Sequence, residues 1–299
     1  PDDLWVRAMG QAPKRITDSM NPAIQRADLV SPQTVRFKSY DGVDIPGLLY
    51  KPHQATEKAK APALVLVHGG PGGQATVNFS SLIQCLVNHG YVVYDINNRG
   101  SSGYGKTFFK MDDQKHGEAD LGDCVAAKTM LTATGYVDST KIGIIGGSYG
   151  GYMTLAAMTL QPDAFKVGVD LFGISNWVRT LESIPPYWES FRAALYAEMG
   201  DPKADAERLH RISPLFNADK IKAPLMVLQG ANDPGVLRVE SDNIVEAAKK
   251  NGVPVEYVIF DDEGHGFLKK ENEIEGTGKI LIFLDQYLKG VAPKTAASS

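Results

Sequence analysis

Lys141-Ile-Gly-Ile-Ile-Gly-Gly-Ser148-Tyr-Gly-Gly-Tyr-Met-Thr-Leu-Ala-Ala-Met-Thr-Leu160 joins two apolar runs through a cluster of glycines. Residues 141–145 are rich in β-branched isoleucine and read as a buried strand; residues 149–160 have the length and composition of a helix. Gly146-x-Ser148-x-Gly150 falls on the turn between them. So tight a strand-to-helix turn needs glycine on both sides, because a Cβ there would collide with the neighbouring strand and helix. The bare pattern arises by chance in about one chain in six of this composition, so the strand and helix around it carry the reading. An ordinary glycine-rich βα turn is the competing interpretation, and it would need no partner residues.

Working outward, residues 63–67, 91–96, 167–171, 225–229 and 255–260 are further runs of the same strand type. Helix-length patterns lie between and after them at 121–131, 239–250 and 274–288. Strand and helix alternate, which predicts the α/β class: a doubly wound, mostly parallel central sheet with helices on both faces. Residues 34–39 and 45–51 flank Tyr40-Asp41-Gly42 and predict an antiparallel hairpin at the sheet edge. Residues 53–62 read as a solvated connection. Residues 172–214 break the rhythm with Pro185-Pro186, Pro202 and the aromatic residues Trp177, Tyr187, Trp188, Phe191 and Tyr196, which predicts a cap inserted over the sheet. Main-domain boundaries of 31–290 follow, with an extension at 1–30 and a flexible tail at 291–299.

The chain has 299 residues, 43% of them hydrophobic, enough for one large core. Its 31 basic and 35 acidic residues are dispersed and sum to a charge of −4, so no positive field is concentrated for nucleic acid. No stretch is apolar for long enough to span a bilayer. Cys85 and Cys124 sit in apolar, helix-like surroundings that suit reduced thiols, and neither a metal nor another cofactor is called for. The first residue is not Met, so the numbering fits the inside of a longer gene product with a signal peptide or a domain ahead of it. The compartment stays open between cytoplasmic and periplasmic or secreted, and a homo-oligomer is compatible with the sequence.

A serine hydroxyl is neutral at physiological pH and needs a base within hydrogen-bond reach, for which histidine is suited. Of six histidines, His265 follows the last predicted strand, flanked by Gly264 and Gly266. His89 and His210 lie in helix-like contexts. Asp233 follows the penultimate strand, at the carboxyl edge where ligands of open α/β sheets gather. An Asx-type turn before Pro234 is the competing reading of Asp233, and Asp261 and Asp262 are alternative acids on the histidine's own loop. The order Ser148, Asp233, His265, with room for a strand and a helix between members, is the one an α/β-hydrolase requires. Oxyanion donors are expected from the Tyr149 amide at the helix N-terminus and from the Gly70 amide in His68-Gly69-Gly70-Pro71-Gly72-Gly73, after strand 63–67. His68 reads as a residue that fixes this loop.

Residues 100–107, Gly-Ser-Ser-Gly-Tyr-Gly-Lys-Thr, match the phosphate-loop pattern. A phosphate loop should leave its strand almost at once and open a helix, whereas Asn97-Asn98-Arg99 intervene and no convincing helix start follows.

Together, His68-Gly69-Gly70-Pro71, Asn97-x-Arg99-Gly100-Ser101-x-Gly103-Tyr104-Gly105, Gly146-Gly147-Ser148-Tyr149-Gly150-Gly151-Tyr152, Gly230-Ala231-Asn232-Asp233-Pro234 and Glu263-Gly264-His265-Gly266-Phe267 resemble the catalytic domain of the prolyl oligopeptidase family. The likeness is greatest to its acylaminoacyl-peptidase-like branch and spans roughly residues 4 to 290. It implies a serine peptidase with Ser148 as nucleophile, Asp233 and His265 as its partners, and the Tyr149 and Gly70 amides as oxyanion hole. Family members usually carry a β-propeller ahead of this domain, and residues 4–22 are similar to the end of one. Departures are Asn98, where the family commonly has Tyr, and Gly235 and Leu237, where Arg and Pro are common; they bear on substrate preference. The expected substrate is a short peptide or a small-molecule ester, with Trp177, Tyr187 and Trp188 as candidate pocket residues; a private hydrophobic core of the cap is the competing reading of these aromatics. A carboxylesterase is the alternative, and a non-catalytic binding module a remote one.

Overall fold

The computed structural model describes residues 2–184 and 188–292. Eight strands form the main sheet: β3 (Gln33–Lys38), β4 (Asp44–Tyr50), β5 (Ala61–Val67), β6 (Val92–Ile96), β7 (Val137–Gly147), β8 (Gly168–Leu171), β9 (Leu225–Gly230) and β10 (Val255–Phe260). Their spatial order is β10-β9-β8-β7-β5-β6-β4-β3. The β3–β4 and β4–β6 pairs are antiparallel and the others parallel. The six runs expected as strands are therefore the parallel sheet, and the expected hairpin closes its edge.

Those runs lack polar alternation because both faces of the sheet are covered. Ala63, Val65 and Val67 of β5 pack on one face with α3 (Ala119–Ala133) and α4 (Tyr149–Leu160); Leu64 packs on the other, with α1 (Ser81–Asn88) and α9 (Lys270–Leu284). Each such Val, Leu or Ile contributes about 1.5–3 kcal/mol relative to exposure. A cap follows β8, made of α5 (Trp177–Glu182), α6 (Glu189–Met199) and α7 (Ala206–Ile212); α8 (Arg238–Lys249) follows β9. A four-residue helix, α2 (Lys106–Phe109), lies after β6. Ahead of the sheet, β1 (Trp5–Val6) and β2 (Lys14–Arg15) form a small antiparallel ladder of their own.

The last helical segment differs from expectation at both ends. α9 begins at Lys270, four residues early, because Glu271 and Glu273 suit a helical first turn even though they break the apolar pattern. Its last turn, Asp285–Lys289, widens into a π-helix that ends at left-handed Gly290.

The glycine-rich segment after β6 is a structural hub. Arg99 donates to Asp41 through Nη1 and Nη2 (2.7 and 2.9 Å) and to Asp123 through Nε and Nη2 (2.9 and 2.8 Å). Asp123 also accepts from Ser39 Oγ, so one buried guanidinium joins the β3–β4 turn to α3. The hydrogen bonds from Arg99 hold the Asp41 carboxyl down to about 2. Contrary to expectation a helix does open at Lys106, but it runs only four residues, and the arginine ahead of the glycines is committed to Asp41 and Asp123, so the segment serves as a structural turn.

Parallel strands in register end at one edge: Val67 pairs with Gly146, Gly147 with Leu171, Leu171 with Leu228, and Phe260 with Gly230. The residues following β7, β9 and β10 therefore rise together. Beneath this edge the Asp170 side chain is fully buried, and desolvation pushes its carboxyl up to about 8, weakly opposed by the Gly173 amide. In the unfolded chain the group ionises in the ordinary carboxylate range. Its stabilising proton is thus retained by the fold at low pH, and the contribution is lost progressively as pH rises, completely above about 8. Asp170→Asn should flatten this slope, its melting temperature gaining on that of the wild type from pH 5 to pH 8. Parallel melting curves for the two proteins across that range would refute the assignment.

Candidate active site

Ser148 sits between β7 and α4 with φ 58° and ψ −117°, a positive φ outside the regions that L-residues prefer. Its neighbours explain how the chain gets there. A Cβ on Gly146 would stand 2.4 Å from the Gly150 carbonyl oxygen, and one on Gly150 would stand 2.0 Å from that of Val67. The turn is therefore closed by glycine on both sides, and the Ser148 hydroxyl is lifted to the carboxyl edge.

There the side chains of three separate loops converge. Ser148 Oγ lies 2.9 Å from His265 Nε2, and His265 Nδ1 lies 2.7 Å from Asp233 Oδ2. Asp233 is 5% exposed, and its other oxygen, Oδ1, accepts the Gly235 and Val236 amides, both at 2.8 Å. The Asx-type turn and the acid of the triad arrangement are thus the same residue, each oxygen serving one purpose. Asp261 and Asp262 are not part of it: Asp262 pairs with Lys269 and Asn272.

Several residues to which the sequence assigned no role in the site support the arrangement. Glu263, buried beside His265, accepts from the Leu268 and Lys269 amides and from Asn272. Desolvation opposes its charge, but these donors outweigh it and keep the carboxyl below its ordinary range. Its carbonyl accepts from the Asn232 amide, and Asn232 Nδ2 donates to the Asp261 carbonyl, so the Asp233 and His265 loops are stitched together. Phe172, also at positive φ, places its ring 4.9 Å from the imidazole. Gln229 donates to the Val236 carbonyl and accepts from Ser241, bracing the acid's turn from below.

Of the expected amide donors, Tyr149 occupies the first position of α4, where an amide has no intrahelical acceptor. Gly70 lines the same cavity as Ser148 and His265. The loop passes close by: a Cβ on Gly69 would lie 3.3 Å from Ser148 Cβ. His68 holds this loop as expected, with Nδ1 2.8 Å from the Gly69 carbonyl and Nε2 2.7 Å from Ser101 Oγ. Burial lowers its pKa, which suits a neutral structural ring.

A cavity of about 240 Å³ opens beside Ser148 under the cap, walled by Ile174, Trp177, Trp188, Leu195 and Val236. Trp177 is at once pocket wall and cap core: it is 1% exposed and packs against Tyr149 and Tyr152. Tyr187, the third aromatic candidate, lies outside the described residues. A larger cavity, about 910 Å³, lies on the outer side of α3 between Tyr40 and Arg211 and contains none of the converging residues. Cys85 and Cys124 are free thiols. Among the described residues, no helix is long and apolar enough to cross a membrane.

An eight-stranded, mostly parallel sheet with Ser, His and Asp meeting above its carboxyl edge defines an α/β-hydrolase of the serine type. Residues 77–291 match the model of the prolyl oligopeptidase family, and the chain belongs to that family. It is 40% identical over 282 residues to dipeptidyl aminopeptidase BIII of Pseudoxanthomonas mexicana, an alignment covering 92% of this chain and 41% of that protein. The crystallised acylaminoacyl peptidase of Pyrococcus horikoshii superposes with a TM-score of 0.87 at 29% identity, covering 99% of this chain and 47% of that one. A puromycin-hydrolyzing peptidase of Mycobacterium tuberculosis superposes equally well, at 29% identity and 95% and 43% coverage. The chain thus spans less than half the length of these relatives.

Proposed function

We propose that this chain hydrolyses peptide or acylaminoacyl amide bonds, and the corresponding esters, through an acyl-enzyme on Ser148. The observation that carries the reading is the continuous contact from Ser148 Oγ through the imidazole to Asp233 Oδ2, at 2.9 and 2.7 Å. His265 takes the serine proton as Oγ attacks the carbonyl carbon. The tetrahedral oxyanion then rests on the Tyr149 and Gly70 amides, and His265 returns the proton to the leaving amine. Water repeats the cycle to release the acid. Asp233 holds the ring in the tautomer that leaves Nε2 free to accept.

The 240 Å³ cavity is walled mostly by apolar side chains and is sized for one medium side chain of the acyl part of the substrate. A charged group there would be buried without a partner, at a cost of several kcal/mol. Dipeptidyl and acylaminoacyl substrates are the classes suggested by the names of its relatives. A carboxylesterase reading gains from the 36% exposure of the His265 side chain, which small esters can approach from solvent.

Anilides of dipeptides and acylamino acids and p-nitrophenyl esters of graded chain length test both readings. Anilides with Phe, Leu or Ala next to the scissile bond should exceed those with Asp or Lys by at least about tenfold in kcat/KM. Hydrolysis of esters with no anilide cleavage at all would leave only the esterase. Failure of a fluorophosphonate to label Ser148 would leave a binding module.

A further inference from the structure

Behind the nucleophile turn lies a buried group of ionisable side chains that the reaction above does not use. The Tyr149 ring points away from the cavity into the core, and its hydroxyl donates to Asp120 Oδ2. Asp120, in the first turn of α3, is fully buried, and its other oxygen accepts the Gly117 and Leu121 amides at 2.7 and 2.8 Å. His116 stands edge-on to the Tyr149 ring at 5.7 Å and is equally buried. Its Nε2 lies 3.3 Å from Asp112 and 3.7 Å from Glu198, which belongs to cap helix α6.

So costly an arrangement in the interior calls for a role, since an apolar pair of the same shape would pack there without desolvating a carboxylate. Tyr149 is the residue whose backbone amide faces the oxyanion site, and its phenol is the far end of the same rigid unit. We propose that Asp120 is a positioning residue: through the Tyr149 phenol it fixes the first turn of α4, and with it the Tyr149 amide, at the place where negative charge develops on the substrate oxygen. This rests on the reading of Ser148 as nucleophile. An amide donor set a few tenths of an ångström too far, or tilted, stabilises the transition state less while the bound substrate is little affected.

The test compares wild type, Asp120→Asn, Tyr149→Phe and the double variant in the full chain. Tyr149→Phe keeps the ring, its packing against Trp177 and the amide, and removes only the hydroxyl. With a p-nitrophenyl ester, each single variant should lose about 10- to 100-fold in kcat per folded enzyme with KM changed less than about threefold. The double variant should lose no more than the worse single one, because the two groups act as a unit. A peptidyl trifluoromethyl ketone, which forms the tetrahedral oxyanion, should lose affinity in proportion to kcat/KM. The carboxylic acid product, which forms none, should bind as before.

Wild-type kcat and ketone affinity in Tyr149→Phe would overturn the proposal. So would losses that vanish when corrected for the folded fraction, or that fall equally on the ketone and the acid. Ser148→Ala run alongside separates the two levels: if it retains turnover, the nucleophile assignment fails, and if it is inactive while the other variants are normal, only the positioning role does.

Discussion

Ser148→Ala is expected to reduce kcat toward peptidyl anilides or p-nitrophenyl esters by about 10⁶, equivalent to about 8 kcal/mol of transition-state stabilisation. The size follows from the loss of the whole covalent route, since no other hydroxyl or thiol is within reach of His265 Nε2 in the described contacts. What remains, about 10³–10⁴ over uncatalysed hydrolysis, comes from the amides and from substrate binding alone. His265→Ala should cost about as much, and the double variant no more than either. Such non-additivity is itself diagnostic, because residues that merely shape a pocket contribute independently. Steady-state rates together with fluorophosphonate labelling check the result. Turnover of Ser148→Ala within tenfold of wild type would remove the mechanism.

Asp233→Asn should lower kcat by about 10⁴ while leaving the melting temperature nearly unchanged. The argument is local. Oδ1 of Asp233 is claimed by two backbone donors, the amides of Gly235 and Val236. In the asparagine variant the amide oxygen must remain there, so its NH2 group faces His265 Nδ1. That nitrogen can then only accept, the ring proton moves to Nε2, and the imidazole presents a hydrogen to Ser148 where a lone pair is needed. The turn survives, which is why stability is spared. Retention of more than a tenth of wild-type kcat in a correctly folded Asp233→Asn would show that the carboxylate does not set the tautomer.

Much of the fold was legible because a strand buried on both faces leaves an unbroken apolar run, as residues 63–67 and 225–228 do. Ser148, Asp233 and His265 could be found for a topological reason: in a parallel sheet, whatever follows a strand arrives at the same edge. Local pattern says nothing about residues whose meaning depends on a distant partner. Glu263 looks like any acid on a loop until Lys269 and Asn272 fold back on it. Asp112 and His116 share the loop before α3, but Glu198 reaches them from a cap helix far along the chain, and nothing in the sequence marks it as their neighbour. Trp177 was read as either pocket or core, alternatives that merge when the floor of the pocket is the roof of the core. The phosphate-loop match is one of letters only, since its glycines serve a turn built around Arg99.

The left-handed backbone at residue 148 also limits which nucleophiles this scaffold could have sampled during descent. Threonine, branched at Cβ, meets a steric penalty at φ 58° that an unbranched side chain largely escapes. Cysteine is unbranched, so a thiol lineage is reachable from this turn by one substitution, whereas a threonine lineage would first have to rebuild the turn.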